Sequence, residues 1–149
     1  MTPLDIYVDD RQQRGFRRRA IRAFHRHQEY LEAVFVRRGV GEFHVERFVP
    51  IHILHADKTC VAYDEVHYNA LKNEAHHLGL EFGTIHTHIR EDSAPSKQDH
   101  TEGVRESEIL VGVCEIEKTA SGRARVVTLD FWQPQLPCRL NVVKTRKKK

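Results

Sequence analysis

From Leu80 to His88 the chain alternates: Leu80, Phe82, Thr84, His86 and His88 take one set of positions, and Glu81, Gly83, Ile85 and Thr87 take the other. A period of two marks an extended strand and sends successive side chains to opposite faces. His86 and His88 therefore share a face near the strand's end. Residues 89–95, with Glu91, Asp92 and the turn former Pro95, read as a loop, and Ser96-Lys97-Gln98-Asp99 follows it. Two imidazoles, a hydroxyl and a carboxylate thus fall within fourteen residues. If these groups act together, the start of the next element has to return to the end of that strand.

The remaining pattern supplies the frame. Ile6-Tyr7-Val8 reads as a short strand, and Phe16, Ala20, Ile21 and Phe24 recur at helical spacing among arginines. Leu31 to Val36 is a nearly continuous apolar run, as in a buried strand, and Gly39-Val40-Gly41 offers a turn into Phe43, Val45 and Phe48-Val49. An extended piece is expected over Ile51 to Leu54. Val66, Ala70, Leu71, Ala75 and Leu78 mark a second helix, started by Asp64 and stopped by Gly79. Ser96 is suited to cap a third, short helix through about Arg105. Ile109 to Ile116 and Val126 to Trp132 form a second hairpin around Thr119 to Gly122. Hairpins at both ends and a helix-bridged crossover between them imply a mixed sheet with helices on its faces, an α/β chain in a three-layer α/β/α arrangement.

The 149 residues fit one domain, expected over 1–140, with 141–149 as a basic disordered tail. No apolar run approaches a membrane span, and the N-terminal stretch carries Asp5, Asp9 and Asp10 instead of a secretory signal. Cys60, Cys114 and Cys138 are odd in number and lack CxxC spacing, which points to reduced thiols and a cytoplasmic address.

The chemistry follows from ligand type. His86 and His88 can bind one metal ion, with Asp99 as the third ligand, and three protein ligands leave a zinc position open for water. Ser96-x-x-Asp99 alone would be read as a helix capping box, but the His-x-His upstream reverses that preference. His25/His27 and His76/His77 fall in helical stretches where they do not share a face, and they read as solvated. His100 adjoins a ligand and is a candidate to support it from behind.

The spacing HxH, seven residues, SxxD resembles the JAMM motif of the JAB/MPN/Mov34 (PAD-1) metalloproteases, of the compact stand-alone prokaryotic type. The likeness covers roughly residues 5 to 132. The resemblance implies a JAB/MPN domain, cytidine-deaminase-like, with one Zn2+ per chain held by His86, His88 and Asp99. It implies a catalytic glutamate just past the first helix, which register assigns to Glu29 with Glu32 as the alternative, and a catalytic Ser96 that holds water or the developing oxyanion. The implied activity is that of a zinc (iso)peptidase acting at the C-terminal diglycine of a ubiquitin-like or sulfur-carrier protein. Members usually carry Pro after the second His, where this chain has Ile89, and glycines where it has Glu32 and Val36.

Two rivals come from other classes. A JAB/MPN scaffold without catalysis would have lost ligands, and this chain keeps them. A nucleic-acid-binding module would use Arg11, Arg14, Arg17, Arg18, Arg19, Arg22 and Arg26 with Lys144 to Lys149. Those arginines are read as pointing at many angles and few aromatics interleave with them, so nucleic acid is not the expected partner. A zinc deaminase would use His-x-Glu with PCxxC, but His86-Thr87-His88 lacks the Glu and Pro137-Cys138 lacks the second cysteine.

Overall fold

The computed structural model describes residues 5–56, 61–88, 108–134, 136–139 and 141–145. In chain order its elements are β1 (Asp5–Asp9), α1 (Asp10–His25), β2 (Leu31–Gly39), β3 (Glu42–Pro50), β4 (Ile53–Ala56), β5 (Val61–Tyr63), α2 (Glu65–His77), β6 (Glu81–His88), β7 (Val111–Lys118), β8 (Ala124–Gln133), β9 (Leu136–Arg139) and β10 (Asn141–Thr145). The expected helix from Ser96 lies outside the described residues.

Local chemistry sets the helix ends. Asp9 caps α1 by accepting from the Gln12 backbone N–H at 3.0 Å, and Gln13, Phe16, Ala20 and Ala23 give it one buried stripe. It stops where His27 takes φ 59°, and Gln28 N–H returns to the Ala23 carbonyl at 3.1 Å. Asp64 caps α2 through Val66 N–H at 3.0 Å, and Gly79 at φ 73° ends it.

Eight strands form one sheet in the order β10-β1-β3-β2-β6-β7-β8-β9, and β4 pairs with β5 separately. β2 is central and buried on both faces. Val34 and Val36 join Ile6, Phe16, Ala20, Ile85, Cys114 and Phe131 in one core, whereas Leu31, Ala33 and Phe35 join Tyr68, Leu71, Ala75 and Phe82 in the other. The first core holds α1 and the second holds α2.

This is not the three-layer α/β/α arrangement expected from the sequence. The chain is mostly strand, with two helices among the described residues, and six of its strands make a nearly closed, barrel-like sheet. α1 touches both β3 and β8, which stand four positions apart in the sheet, and β10 touches β8. The sheet must therefore coil around α1, while α2 lies against its outer face. Register shifts at Phe35/Val36, Glu115/Ile116 and Trp132/Gln133 mark irregularities of the kind that sharpen strand twist. Periodicity reports which side chains are buried, but it carries no information on that coiling.

A second correction concerns the tail. Residues 141–145 are β10, paired in parallel with β1 from Asp5↔Asn141 to Asp9↔Thr145. Their basic neighbours hide a strand that closes the sheet.

One close approach fixes the return from β6 to β7. A Cβ on Gly83 would lie 2.5 Å from the Leu110 carbonyl oxygen. Thr84 N–H donates to that oxygen at 3.2 Å, and Ile109 N–H donates to the Phe82 carbonyl at 2.8 Å. The segment entering β7 is thus stitched directly onto β6.

Candidate metal centre

On β6 the residue Ile85 belongs to the α1 core, so His86 and His88 face the other way, towards the side carrying α2. His86 is buried and His88 is half-buried. Their Nε2 atoms lie 3.0 Å apart, with ring centroids separated by 4.7 Å. Two imidazole nitrogens about 2.0–2.1 Å from one tetrahedral zinc stand roughly 3.3–3.4 Å apart, so this pair, now in hydrogen-bond contact, would open by a few tenths of an ångström to share an ion. Ser96 and Asp99 lie outside the described residues, as does His100. Among the described residues no three His, Cys, Asp or Glu side chains converge as a metal site.

The two glutamate candidates separate by face. Glu32 is fully buried on the α1 side, where its carboxylate accepts from Arg19 Nε at 2.6 Å, from a second Arg19 nitrogen at 2.9 Å and from the Tyr30 hydroxyl. These hydrogen bonds hold the Arg19 guanidinium above its ordinary value. Burial, reinforced by the Glu32 charge, raises the Tyr30 hydroxyl well above the usual phenol range. Glu32 is therefore committed to joining α1 to β2, with the sheet between it and the histidines.

Glu29 sits two residues before β2. In the β2–β6 ladder Leu31 opposes His86. One step further, Thr87 N–H donates to the Tyr30 carbonyl at 2.9 Å and the Thr87 hydroxyl accepts from Tyr30 N–H at 2.8 Å. Continuing that register brings residue 29 opposite His88. The half-buried Glu29 thus enters the sheet beside the second histidine.

Sequence reasoning missed two buried carboxylates. Glu108 accepts from the Tyr68 hydroxyl at 2.7 Å and from the Thr84 hydroxyl at 2.5 Å, which ties α2 to β6. Glu115 is 4% exposed and pairs in register with His88 across the parallel β6–β7 ladder. A charged residue in the middle of the apolar run Leu110 to Ile116 was the available signal.

The other histidines behave as the sequence suggested where they are exposed, as His25, His27, His76 and His77 are. His52 N–H donates to His67 Nδ1 at 2.8 Å, a local contact at the start of α2. The arginines differ from expectation. Arg19 is taken by Glu32 and Arg17 is half-buried, while the exposed Arg11, Arg14, Arg18, Arg22 and Arg26 repeat every three or four residues and line one stripe. Cys114 is a free, buried thiol, pushed up to about 12 by desolvation.

No family model matches this chain, and no curated protein does. Among solved structures it is similar to protein DSY2949 from Desulfitobacterium hafniense, with a TM-score of 0.67, 14% identity, and coverage of 97% of this chain and 95% of that one. At that identity the likeness defines a shared fold alone. Among the described residues no helix is long and apolar enough to cross a membrane.

Proposed function

We propose that this chain is a zinc-dependent hydrolase of the JAMM type that cuts an amide bond, at the C-terminal diglycine of a ubiquitin-like or sulfur-carrier protein. The observation that carries the reading is the convergence of the His86 and His88 Nε2 atoms at 3.0 Å, at the end of the strand that Glu29 enters beside. Function resides in the site more than in the fold, so the reading rests on these residues and not on the layer arrangement. The cytosol is the compartment that goes with it, in keeping with the free Cys114 thiol.

His86, His88 and Asp99 would hold the ion, a donor set of imidazoles and one carboxylate that suits zinc. Bound there, it supplies Lewis acidity towards a carbonyl oxygen and towards water. Glu29 takes a proton from the attacking water as the C–O bond forms and the carbonyl oxygen becomes an oxyanion, then delivers that proton to the amine nitrogen as the oxyanion collapses and the C–N bond breaks. Ser96 donates a hydrogen bond to the oxyanion. Glu32, held by Arg19 and Tyr30, has no part in proton transfer.

The test joins elemental analysis of the purified chain to cleavage of a diglycine-linked protein fusion. One zinc per chain, lost in His88→Ala, with cleavage that depends on it, is the expected result. Protein that remains metal-free after exposure to zinc, or zinc-loaded protein that cleaves no amide, overturns the reading.

A further inference from the structure

A zinc-bound imidazole commonly donates its second ring N–H to a carboxylate, which fixes both tautomer and ring angle. We infer that Glu115 is that carboxylate for His88. This rests on the proposed metal reading and extends it to a residue outside the motif.

Three observations converge. In the parallel β6–β7 ladder Thr84, His86 and His88 pair with Val111, Val113 and Glu115, so Glu115 is the lateral neighbour of His88. Adjacent strands lie about 4.8 Å apart, within reach of a glutamate for an imidazole. The two side chains also share a face: Cys114 and Ile116 on either side of Glu115 belong to the α1 core, as does Ile85 on β6, which sends Glu115 and His88 together to the opposite side. Finally, Glu115 is nearly fully buried, and a carboxylate is kept in such a place only with partners.

The geometry also says what Glu115 does not do. His86 and His88 converge through Nε2, yet among the described residues no carboxylate joins them as a third member of a metal-binding group. Glu115 is therefore a positioning residue, not a ligand. By accepting from Nδ1–H of His88 it leaves the lone pair on Nε2, the atom that meets His86 Nε2 and that would be offered to a bound ion. The apolar run of β7 thus carries one charge because the strand beside it carries the site.

The experiment uses the full chain with and without zinc. In metal-free parent protein, nitrogen chemical shifts of the His88 ring should report a proton on Nδ1 and none on Nε2. Glu115→Gln should weaken zinc binding, measured by chelator competition, about ten- to a hundredfold and redistribute that tautomer. Glu115→Asp should restore part of both. Val113→Ala, on the same strand and face, serves as the packing control and should leave the His88 tautomer as in the parent. A parent tautomer with the proton on Nε2 overturns the inference, even if Glu115→Gln fails to fold. So does a folded Glu115→Gln protein with unaltered zinc affinity. A parent that binds no zinc but shows the Nδ1 proton, lost in Glu115→Gln, rejects the hydrolase reading and leaves the pairing standing.

Discussion

Tyr30 and Thr87 are joined twice: the Tyr30 carbonyl accepts from Thr87 N–H at 2.9 Å, and Tyr30 N–H donates to the Thr87 hydroxyl at 2.8 Å. The pair prolongs the β2–β6 ladder beyond Leu31↔His86 and carries the chain at Glu29 past His88. It also divides the two glutamates, one reaching the histidine end of β6 and the other turned inwards to Arg19.

That division predicts two distinct phenotypes. Glu29→Gln should retain zinc and stability while losing at least about a hundredfold in turnover, the usual scale of a general base. Glu32→Gln should keep turnover in the protein that folds but cost about 2–4 kcal/mol of stability, because it removes the charge paired with Arg19 in a buried site. Zinc content, kcat and denaturant midpoints for both variants check this. Turnover lost in Glu32→Gln and kept in Glu29→Gln would reverse the assignment.

The Tyr30 hydroxyl gives an alkaline signature. Its folded value is raised above the ordinary 10.0, so the unfolded chain releases this proton first as pH rises. The contribution is complete below about pH 10 and is lost progressively above it as the unfolded state ionises. Tyr30→Phe should flatten the fall in stability above that pH, read from urea midpoints between pH 8 and 11. An alkaline limb as steep as the parent's would exclude Tyr30 as its source.

Gly83→Ala tests the stitching of β7 onto β6. A Cβ 2.5 Å from the Leu110 carbonyl oxygen meets backbone, which cannot rotate aside. The substitution should cost about 2 kcal/mol or more and lower the melting temperature by several degrees. A melting point equal to the parent's would mean that the segment before β7 yields freely.

The single arginine stripe on α1 changes what nucleic-acid binding should look like. Five exposed guanidinium groups on one face can meet phosphates together, so weak polyanion binding at low salt is expected. With about five contacts, affinity should fall with a log–log salt slope of roughly −4 to −5 and show no base preference. Titration of DNA of several sequences across salt concentrations checks it. Selective binding that survives physiological salt would require a reader that this stripe, without exposed aromatics, does not supply.

Much of the frame was legible because burial writes itself into spacing. The period of two over Leu80 to His88, the cap Asp64 and the stop at Gly79 all correspond to elements at those places. The coiling of the sheet was not legible, since Val34 and Phe35 are equally apolar whether the sheet is flat or closed. β10 was hidden because Val142 and Val143 are followed by a run of charge that outweighs two apolar residues. At the site, local spacing singled out His86 and His88. Register put Glu29 ahead of Glu32, but the burial of Glu32 against Arg19, on the face away from the histidines, was not legible, and Glu115 required the register of a strand more than twenty residues downstream, neither of which a motif encodes.

The β1–β10 pairing has a kinetic side. Asp5 lies beside Asn141 in a parallel ladder, so the two strands that meet are the first and last of the described chain. The β2–β3 hairpin can zip locally, but this seam must bring together segments with nearly the entire described chain between them, and such contacts form slowly. Until they form, β1 offers a bare edge with Ile6 and Val8 on it, open to a second copy of the same strand. The seam that completes the sheet is also the step at which a folding chain is most exposed to its neighbours.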